Sequence, residues 1–238
     1  MRSSPGLRII ESCLGCKLRS ESFFCDLPPE VLQSFEAITN PSLYPRGVML
    51  FMEGQEPRGI FVLCTGRVKL SASSGDGKTV IMKIAEPGEV LGLSATVSGL
   101  PYEVSAEAVD FCQVSFVKRE DFLRFLGGNA QVCLRVAQHL SRNYHTAYEQ
   151  VRSLALHTAV ENLARLLLEW CAEGGAETGQ GIRLKLTLTH EEIGQMIGTT
   201  RETVGRIFAE LRSKEVINIK GSTLLIRNKA ELETLANP

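Results

Sequence analysis

Two arginines and a glutamate stand close together in Thr199-Thr-Arg201-Glu202-Thr-Val-Gly205-Arg206-Ile-Phe-Ala-Glu-Leu211. A guanidinium can fork onto O6 and N7 of guanine, and a carboxylate can accept from N4 of cytosine. A glutamate facing a polyanion is unfavourable unless it reads such a donor. A second group with chemistry is the cysteines. Cys13 and Cys16 form a Cys-x2-Cys pair, and Cys25 follows nine residues later. A short loop of this kind points two thiolates inward, and Lys17 and Arg19 nearby favour the thiolate form. The residues leave four readings open: an iron–sulfur cluster, a thiol-disulfide switch, zinc, or packing alone. Cys112, in Asp110-Phe-Cys-Gln-Val114, reads as a core thiol by position, although three cysteines want a fourth partner.

The elements that must position the arginines follow from periodicity. Thr189 with Glu192 has the spacing of a capping box. Ile193, Met196 and Ile197 make one apolar stripe, and Gly198 supplies a turn. Thr199 or Thr200 caps a second helix, which buries Val204, Ile207, Phe208 and Leu211. At about 100° per residue, Arg201, Glu202, Gly205 and Arg206 fall within roughly 140° on the opposite side. Gly205 lets the helix backbone come close to something. The spacing predicts a helix-turn-helix whose second helix enters a major groove. Val216–Ile219 and Thr223–Ile226 then read as two short strands around the basic turn Lys220-Gly221-Ser222, a wing whose lysine can touch phosphate. A solvated charged face is the plainer alternative for the helix pair, and the wing weighs against it.

The 238 residues carry a formal net charge of −1, with 44 % hydrophobic and 22 % charged residues. This is ordinary globular composition. From Ile182 to Arg227 eight Lys/Arg face five Asp/Glu, a local charge of +3. DNA binding would therefore rest on a few placed contacts rather than on a broad basic field. No apolar run approaches a membrane span, and Met1–Gly6 lacks a signal-peptide core. Both point to a cytoplasmic chain. Seven cysteines then argue against a disulfide scaffold, and Cys64, Cys133 and Cys171 read as packing residues.

Short strands with glycine turns fill Pro45 to Phe116: Val48–Met52, Ile60–Cys64, Arg67–Ser71, Thr79–Ile84 and the span from Val104. Such spacing suggests a jelly roll or barrel. From Asn129 to Leu154 the period turns helical. Cys133, Ala137, Leu140, Tyr144, Ala147, Val151 and Leu154 recur at alternating spacings of four and three. That is a heptad seam, which pairs with a second copy of the chain or packs on its own barrel. His157–Cys171 reads as a further helix, with Leu163, Leu166, Leu167 and Trp170 on its core face, and Gly174–Gly181 as a mobile loop. None of His139, His145, His157 and His190 pairs at ligand spacing, and His190 reads as a solvated helix-flanking residue. The fold expected is α+β: a Cys-containing segment (1–27), a β jelly roll (28–128), a dimerisation helix (129–154) and a winged helix (155–238). No nucleophile elbow, P-loop, dinucleotide fingerprint or metal-histidine motif points to an enzyme.

The order of barrel, long helix and winged helix, with Arg201-Glu-Thr-Val-Gly-Arg206 in the second helix of the pair, resembles the Crp/Fnr family of bacterial transcription regulators over nearly the whole chain. The resemblance implies a homodimer, paired through Ala137, Leu140, Tyr144, Ala147 and Val151, on palindromic double-stranded DNA. Arg201, Glu202 and Arg206 would read half-sites similar to TGTGA, with Thr200, Gly205 and Lys220 beside the duplex. RNA polymerase is the further partner it implies, and no membrane. In the oxygen-sensing branch, three N-terminal cysteines and one in the barrel hold a [4Fe-4S] cluster, and Cys13, Cys16, Cys25 and Cys112 are similar to that set. The gap of eight residues before Cys25 exceeds that of the best-known member. Closing a few more residues costs only tenths of a kcal/mol. A cluster of this kind is lost to oxygen or nitric oxide, which would make it the switch.

In the cyclic-nucleotide branch, a Gly-Glu-Leu turn and an Arg-Ser pair hold the ribose and phosphate. Here Tyr102-Glu103 falls where that pair should be, and Leu93 where the ribose-binding glutamate should be. Val90 to Ala106 contains no arginine or lysine. A carboxylate in place of a guanidinium repels a phosphate, so a cyclic nucleotide is disfavoured as the effector.

Overall fold

The computed structural model of the protein describes residues 12, 13, 15, 16 and 26–237. The chain forms two compact units, Met1–Tyr144 and His145–Pro238. Helices and sheets are mixed, in the α+β arrangement expected.

The first unit runs α1 (Pro29–Glu36), β1 (Thr39–Tyr44), β2 (Met49–Phe51), β3 (Gly59–Thr65), β4 (Val68–Ser73), β5 (Thr79–Ala85), β6 (Val90–Leu91), α2 (Leu93–Ser98), β7 (Ser105–Ala108), β8 (Cys112–Lys118) and α3 (Arg119–Gly127). Its strands make two antiparallel sheets, β1-β8-β3-β6 and β2-β7-β4-β5. The residues of β3 explain the layering. Side chains alternate between faces of a strand. Phe61 and Leu63 enter a core with Phe51, Val68 and Val114. Ile60 and Val62 enter another, with Leu32, Phe35, Phe122 and Phe125. This sheet is thus a middle layer, with the other sheet on one side and helices on the other. Those helices escape sequence reading because α1, α2 and α3 each span nine residues or fewer.

Helix α4 (Ala130–Leu156) leaves this layer. Val132 and Val136 bury against the second core, and Arg135 donates to the Asp26 carbonyl at 2.9 Å. These off-seam residues do the packing on the barrel. Of the heptad seam, Leu140 is partly buried against the same core, while Ala137, Tyr144, Ala147 and Val151 are exposed. Tyr144 is 62 % and Val151 66 % exposed, too much for apolar side chains that serve their own chain's core. Cys133, expected to be a packing residue, is exposed, and its thiol donates to the Leu126 carbonyl at 3.1 Å.

The second unit adds α5 (Ala159–Gly174), β9 (Ala176–Thr178), β10 (Gly181–Lys185), α6 (His190–Ile197), α7 (Arg201–Ser213), β11 (Ile217–Lys220), β12 (Thr223–Ile226) and α8 (Lys229–Ala236). The four strands form one sheet in the order β11-β12-β10-β9. The stretch Gly174–Gly181, expected to be a mobile loop, is instead largely a hairpin. Its strands pair Gly181 with Thr178 and Arg183 with Ala176, and the Thr178 hydroxyl donates to the Gly181 carbonyl at 2.6 Å. Glycine content hid the strand because the pairing edge is supplied by β12, more than forty residues on. Leu163 and Leu167 of α5 are fully buried, as are Ile193, Val204 and Leu224. The buried Asn162 bonds to the Ser153 hydroxyl at 2.5 Å and to the Ser153 carbonyl at 3.3 Å, tying α5 to the end of α4.

Two capping boxes start the helices that carry the site. Thr158 and Glu161 cap α5, and Thr189 and Glu192 cap α6, each with both reciprocal bonds in place. Thr189→Ala removes an acceptor from the Glu192 N–H and is expected to lower stability by about 1 kcal/mol. Urea unfolding should show a lower midpoint with an unchanged slope.

Candidate nucleic-acid interface

The turn between α6 and α7 is built by two glycines. Gly198 ends α6 at φ 69°, a left-handed conformation that side chains disfavour. A Cβ on Gly194 would come within 2.7 Å of the Thr199 carbonyl oxygen, so the chain can reverse tightly only without one. The Thr199 N–H then donates to the Gly194 carbonyl at 2.9 Å. Of the two candidate caps, Thr200 caps α7: its hydroxyl accepts from the Thr203 N–H at 3.3 Å.

Helix α7 buries Val204, Ile207, Phe208 and Leu211. That fixes its rotation, and Arg201, Glu202 and Arg206 emerge exposed on the other side. The Glu202 carboxyl is held below its usual range by its own backbone N–H, by the Thr200 hydroxyl and by Arg201. It therefore stays ionised as an acceptor, the state needed to meet an amino donor on a base edge. Lys220 closes β11 opposite Thr223 across the Gly221-Ser222 turn, exposed at the tip of the wing.

His190, expected to be solvated, is half-buried. Its ring stacks on Phe208 with centroids 5.1 Å apart and planes at 21°. A Cβ on Gly205 would lie 3.6 Å from His190 Nδ1. Thus the side of α7 left open by Gly205 adjoins an imidazole. Sequence reading missed this because residues 190 and 208 meet only through the helix turn.

The cysteines are distributed differently. Cys25 lies outside the described residues. Cys13 and Cys16 are half-buried, and Cys13 packs beside the core that holds Leu32 and Phe125. The neighbouring Ser12 hydroxyl donates to Glu36 at 3.4 Å. The Glu36 carbonyl accepts from the Thr39 hydroxyl, and Thr39 pairs with Val117 on β8. Cys112 lies at the opposite end of β8, paired with Tyr44. Five residues of strand at about 3.4 Å each separate these ends by roughly 17 Å. Cys112 is fully buried in the other core with Phe51 and Val114. Its thiol donates to the carbonyls of Arg67 at 3.2 Å and Asp110 at 3.4 Å, and burial pushes its pKa up. Among the described residues no three His, Cys, Asp or Glu side chains gather as a metal site. As placed, Cys112 does not fit as a fourth ligand to a cluster at the N-terminus.

Tyr102 is also buried. Its ring stacks on Phe51 at 4.1 Å, and its hydroxyl donates to the Gly59 carbonyl at 2.9 Å and accepts from the Arg58 N–H at 3.2 Å. The position that resemblance matches to a phosphate-holding pair is thus committed to the barrel's own packing.

A cyclic nucleotide-binding domain model matches residues 42–129, and a Crp-like helix-turn-helix domain model matches residues 161–235. The chain belongs to the Crp/Fnr family of transcription regulators. Its DNA-binding regulatory role follows from that membership. Among family members, it is 22 % identical over 215 residues to the CRP-like cAMP-activated global transcriptional regulator of Mycobacterium tuberculosis, covering 90 % of this chain and 96 % of that one. It is 26 % identical over 221 residues to the transcriptional activatory protein AadR of Rhodopseudomonas palustris, covering 93 % and 91 %. Its fold is similar to that of a CooA mutant from Carboxydothermus hydrogenoformans, with a TM-score of 0.76 at 20 % identity over 97 % and 98 % of the two chains.

Gly205 lies on the exposed side of α7, within the Crp-like helix-turn-helix domain, and offers a test that separates folding from DNA contact. An alanine there meets His190 only at ordinary contact distance, and Gly→Ala inside a helix stabilises by about 0.5–1 kcal/mol. Gly205→Ala is therefore expected to raise the urea midpoint while weakening operator binding, measured by fluorescence anisotropy. Unchanged affinity would remove Gly205 from the interface.

Proposed function

We propose that two copies of this chain, paired along α4, read a palindromic operator with half-sites similar to TGTGA and thereby control transcription by RNA polymerase. Arg201 and Arg206 recognise guanines, and Glu202 recognises a cytosine amino group. The observation that carries this reading is the exposed trio on α7, aimed outward by the burial of Val204, Ile207, Phe208 and Leu211. The exposed apolar face of Ala137, Tyr144, Ala147 and Val151 supports pairing. Symmetric pairing presents two reading helices about one helical turn of DNA apart, which is what a palindrome requires.

In-vitro selection from random duplexes is expected to enrich such palindromes. In Arg201→Ala/Arg206→Ala the preference for the palindrome over scrambled DNA should collapse, since each forked arginine carries about 1–3 kcal/mol of discrimination. A preference that survives the double substitution rules the reading out.

The trigger acts through the N-terminal thiols Cys13, Cys16 and Cys25, without Cys112. Oxidation-sensitive thiols suit the lysine and arginine between them in sequence. The segment from Val90 to Ala106 supplies no lysine or arginine of its own to a cyclic phosphate, and Tyr102 is packed in the core there. Operator affinity is expected to differ between air and nitrogen. Cys13→Ser and Cys16→Ser should abolish that difference, and Cys112→Ser should keep it. Disappearance of the difference in Cys112→Ser alone would return Cys112 to the site.

A further inference from the structure

We propose that the DNA interface continues past the base-reading residues into a cleft at the C-terminal end of α7, where Arg212 and Arg227 hold a phosphate of the duplex backbone. The inference rests on the reading of α7 as the groove-entering helix. The cleft has a volume of about 420 Å³, and Ala209, Arg212, Ser213, Glu215, Asn218 and Arg227 line it.

Three observations point to a backbone phosphate. The first is direction. With Arg201 at zero, about 100° per residue places Arg212 at roughly 20°, Ala209 at roughly 80° and Ser213 at roughly 120°. That is the sector occupied by Arg201, Gly205, Glu202 and Arg206. The cleft is a continuation of the reading stripe, not a feature of another face.

The second observation is height. Arg212 stands eleven positions after Arg201, about 16 Å along the axis at about 1.5 Å per residue. The major groove is only about 8.5 Å deep. For a helix that enters the groove by its N-terminal end, steeply inclined to the groove floor, that level lies at the rim where phosphates run.

The third is chemistry. Both arginines are exposed, and among the described residues neither side chain holds an ion pair or a hydrogen bond. Lys214, on the same helix end, is instead tied to Glu210 at 2.7 Å. A guanidinium pair suits a phosphate because each planar fork can donate two parallel hydrogen bonds. Asn218 adds a neutral donor, whereas the Ser213 hydroxyl is already donated to the Glu210 carbonyl at 2.8 Å. Glu215 is the one carboxylate in the lining, and two arginines less one carboxylate leave a charge of +1.

Arg227 follows β12, and Arg212 ends the reading helix. The packing of α7 on β11 brings the two segments together. The Val216 N–H donates to the Leu211 carbonyl at 3.0 Å, and the Arg227 N–H donates to the Val216 carbonyl at 2.9 Å. Arg212 stands on α7 and Arg227 in the connection after β12, whose backbone is tied to Val216, and the pair so placed sets the register of the helix on the duplex.

The test is the salt dependence of binding by the full chain to its selected operator. Arg212→Ala/Arg227→Ala should bind about five-fold more weakly at about 0.15 M salt for each phosphate it no longer neutralises, and the slope of log affinity against log salt should fall by about 0.9 per phosphate. Preference for operator over scrambled DNA should stay intact. Arg212→Lys/Arg227→Lys should keep most of the slope, and ethylation of one backbone phosphate per half-site should weaken the parent but not the alanine variant.

An unchanged slope in the alanine variant overturns the proposal. So does unchanged DNA binding with abolished transcription activation, which would assign the cleft to an acidic protein segment. If Arg201→Ala/Arg206→Ala keeps its operator preference, the reading of α7 fails. If that variant fails to discriminate while the Arg212/Arg227 variant behaves like the parent, only the phosphate cleft is ruled out.

Discussion

The packing of one amphipathic helix determines what the C-terminal unit can do. Val204, Ile207, Phe208 and Leu211 bury on one side of α7, and that burial leaves the helix a single rotation. Arg201, Glu202 and Arg206 then have no choice but to face outward. Burying side chains of this size contributes roughly 1.5–3 kcal/mol each, far more than exposed charges gain or lose by shifting position. The exposed face is thus set by its apolar reverse, and its polar residues carry no part of the packing.

The rest of the unit supports that placement. Gly194 and Gly198 let the chain turn between α6 and α7, Thr189 and Glu192 close the open end of α6, and His190 lies over Phe208. Asn162 links α5 to Ser153 at the end of α4. Within this unit, the end of α4 that exposes Ala147 and Val151 is therefore joined to the helices beside α7 through buried contacts rather than through a flexible linker. Such a connection suits a regulator, because a change in pairing along the end of α4 has a rigid route toward the helices that meet DNA.

The barrel shows the opposite economy. Its interior is given to aromatic packing, with Tyr102 stacked on Phe51, and Phe61 against Phe51 and Phe116. Tyr102 is one member of that core, and its hydroxyl is bonded to the Gly59 carbonyl. The fully buried Cys112 belongs to the same economy: burial favours its neutral thiol, which lies within hydrogen-bond distance of the Arg67 and Asp110 carbonyls.

Local features carried far in this chain. The 3.6-residue stripe of α7, the capping box at Thr189, the wing around Lys220 and the glycine-punctuated strands were all legible, because each depends on neighbours within a few residues. Features that depend on distant neighbours were not. The hairpin of β9 and β10 was hidden, because its partner β12 is distant in sequence. The grouping of the cysteines was equally out of reach, because spacing says nothing about which end of a strand faces the N-terminal segment. Sequence determined which residues share the exposed face of α7, since helical period alone sets their common side. Only tertiary structure decided that Cys112 lies about five strand residues from the end near Cys13, that Tyr102 stacks on Phe51 in the barrel core, and that Arg212 and Arg227 line one cleft, since each of these depends on contacts between segments far apart in the chain.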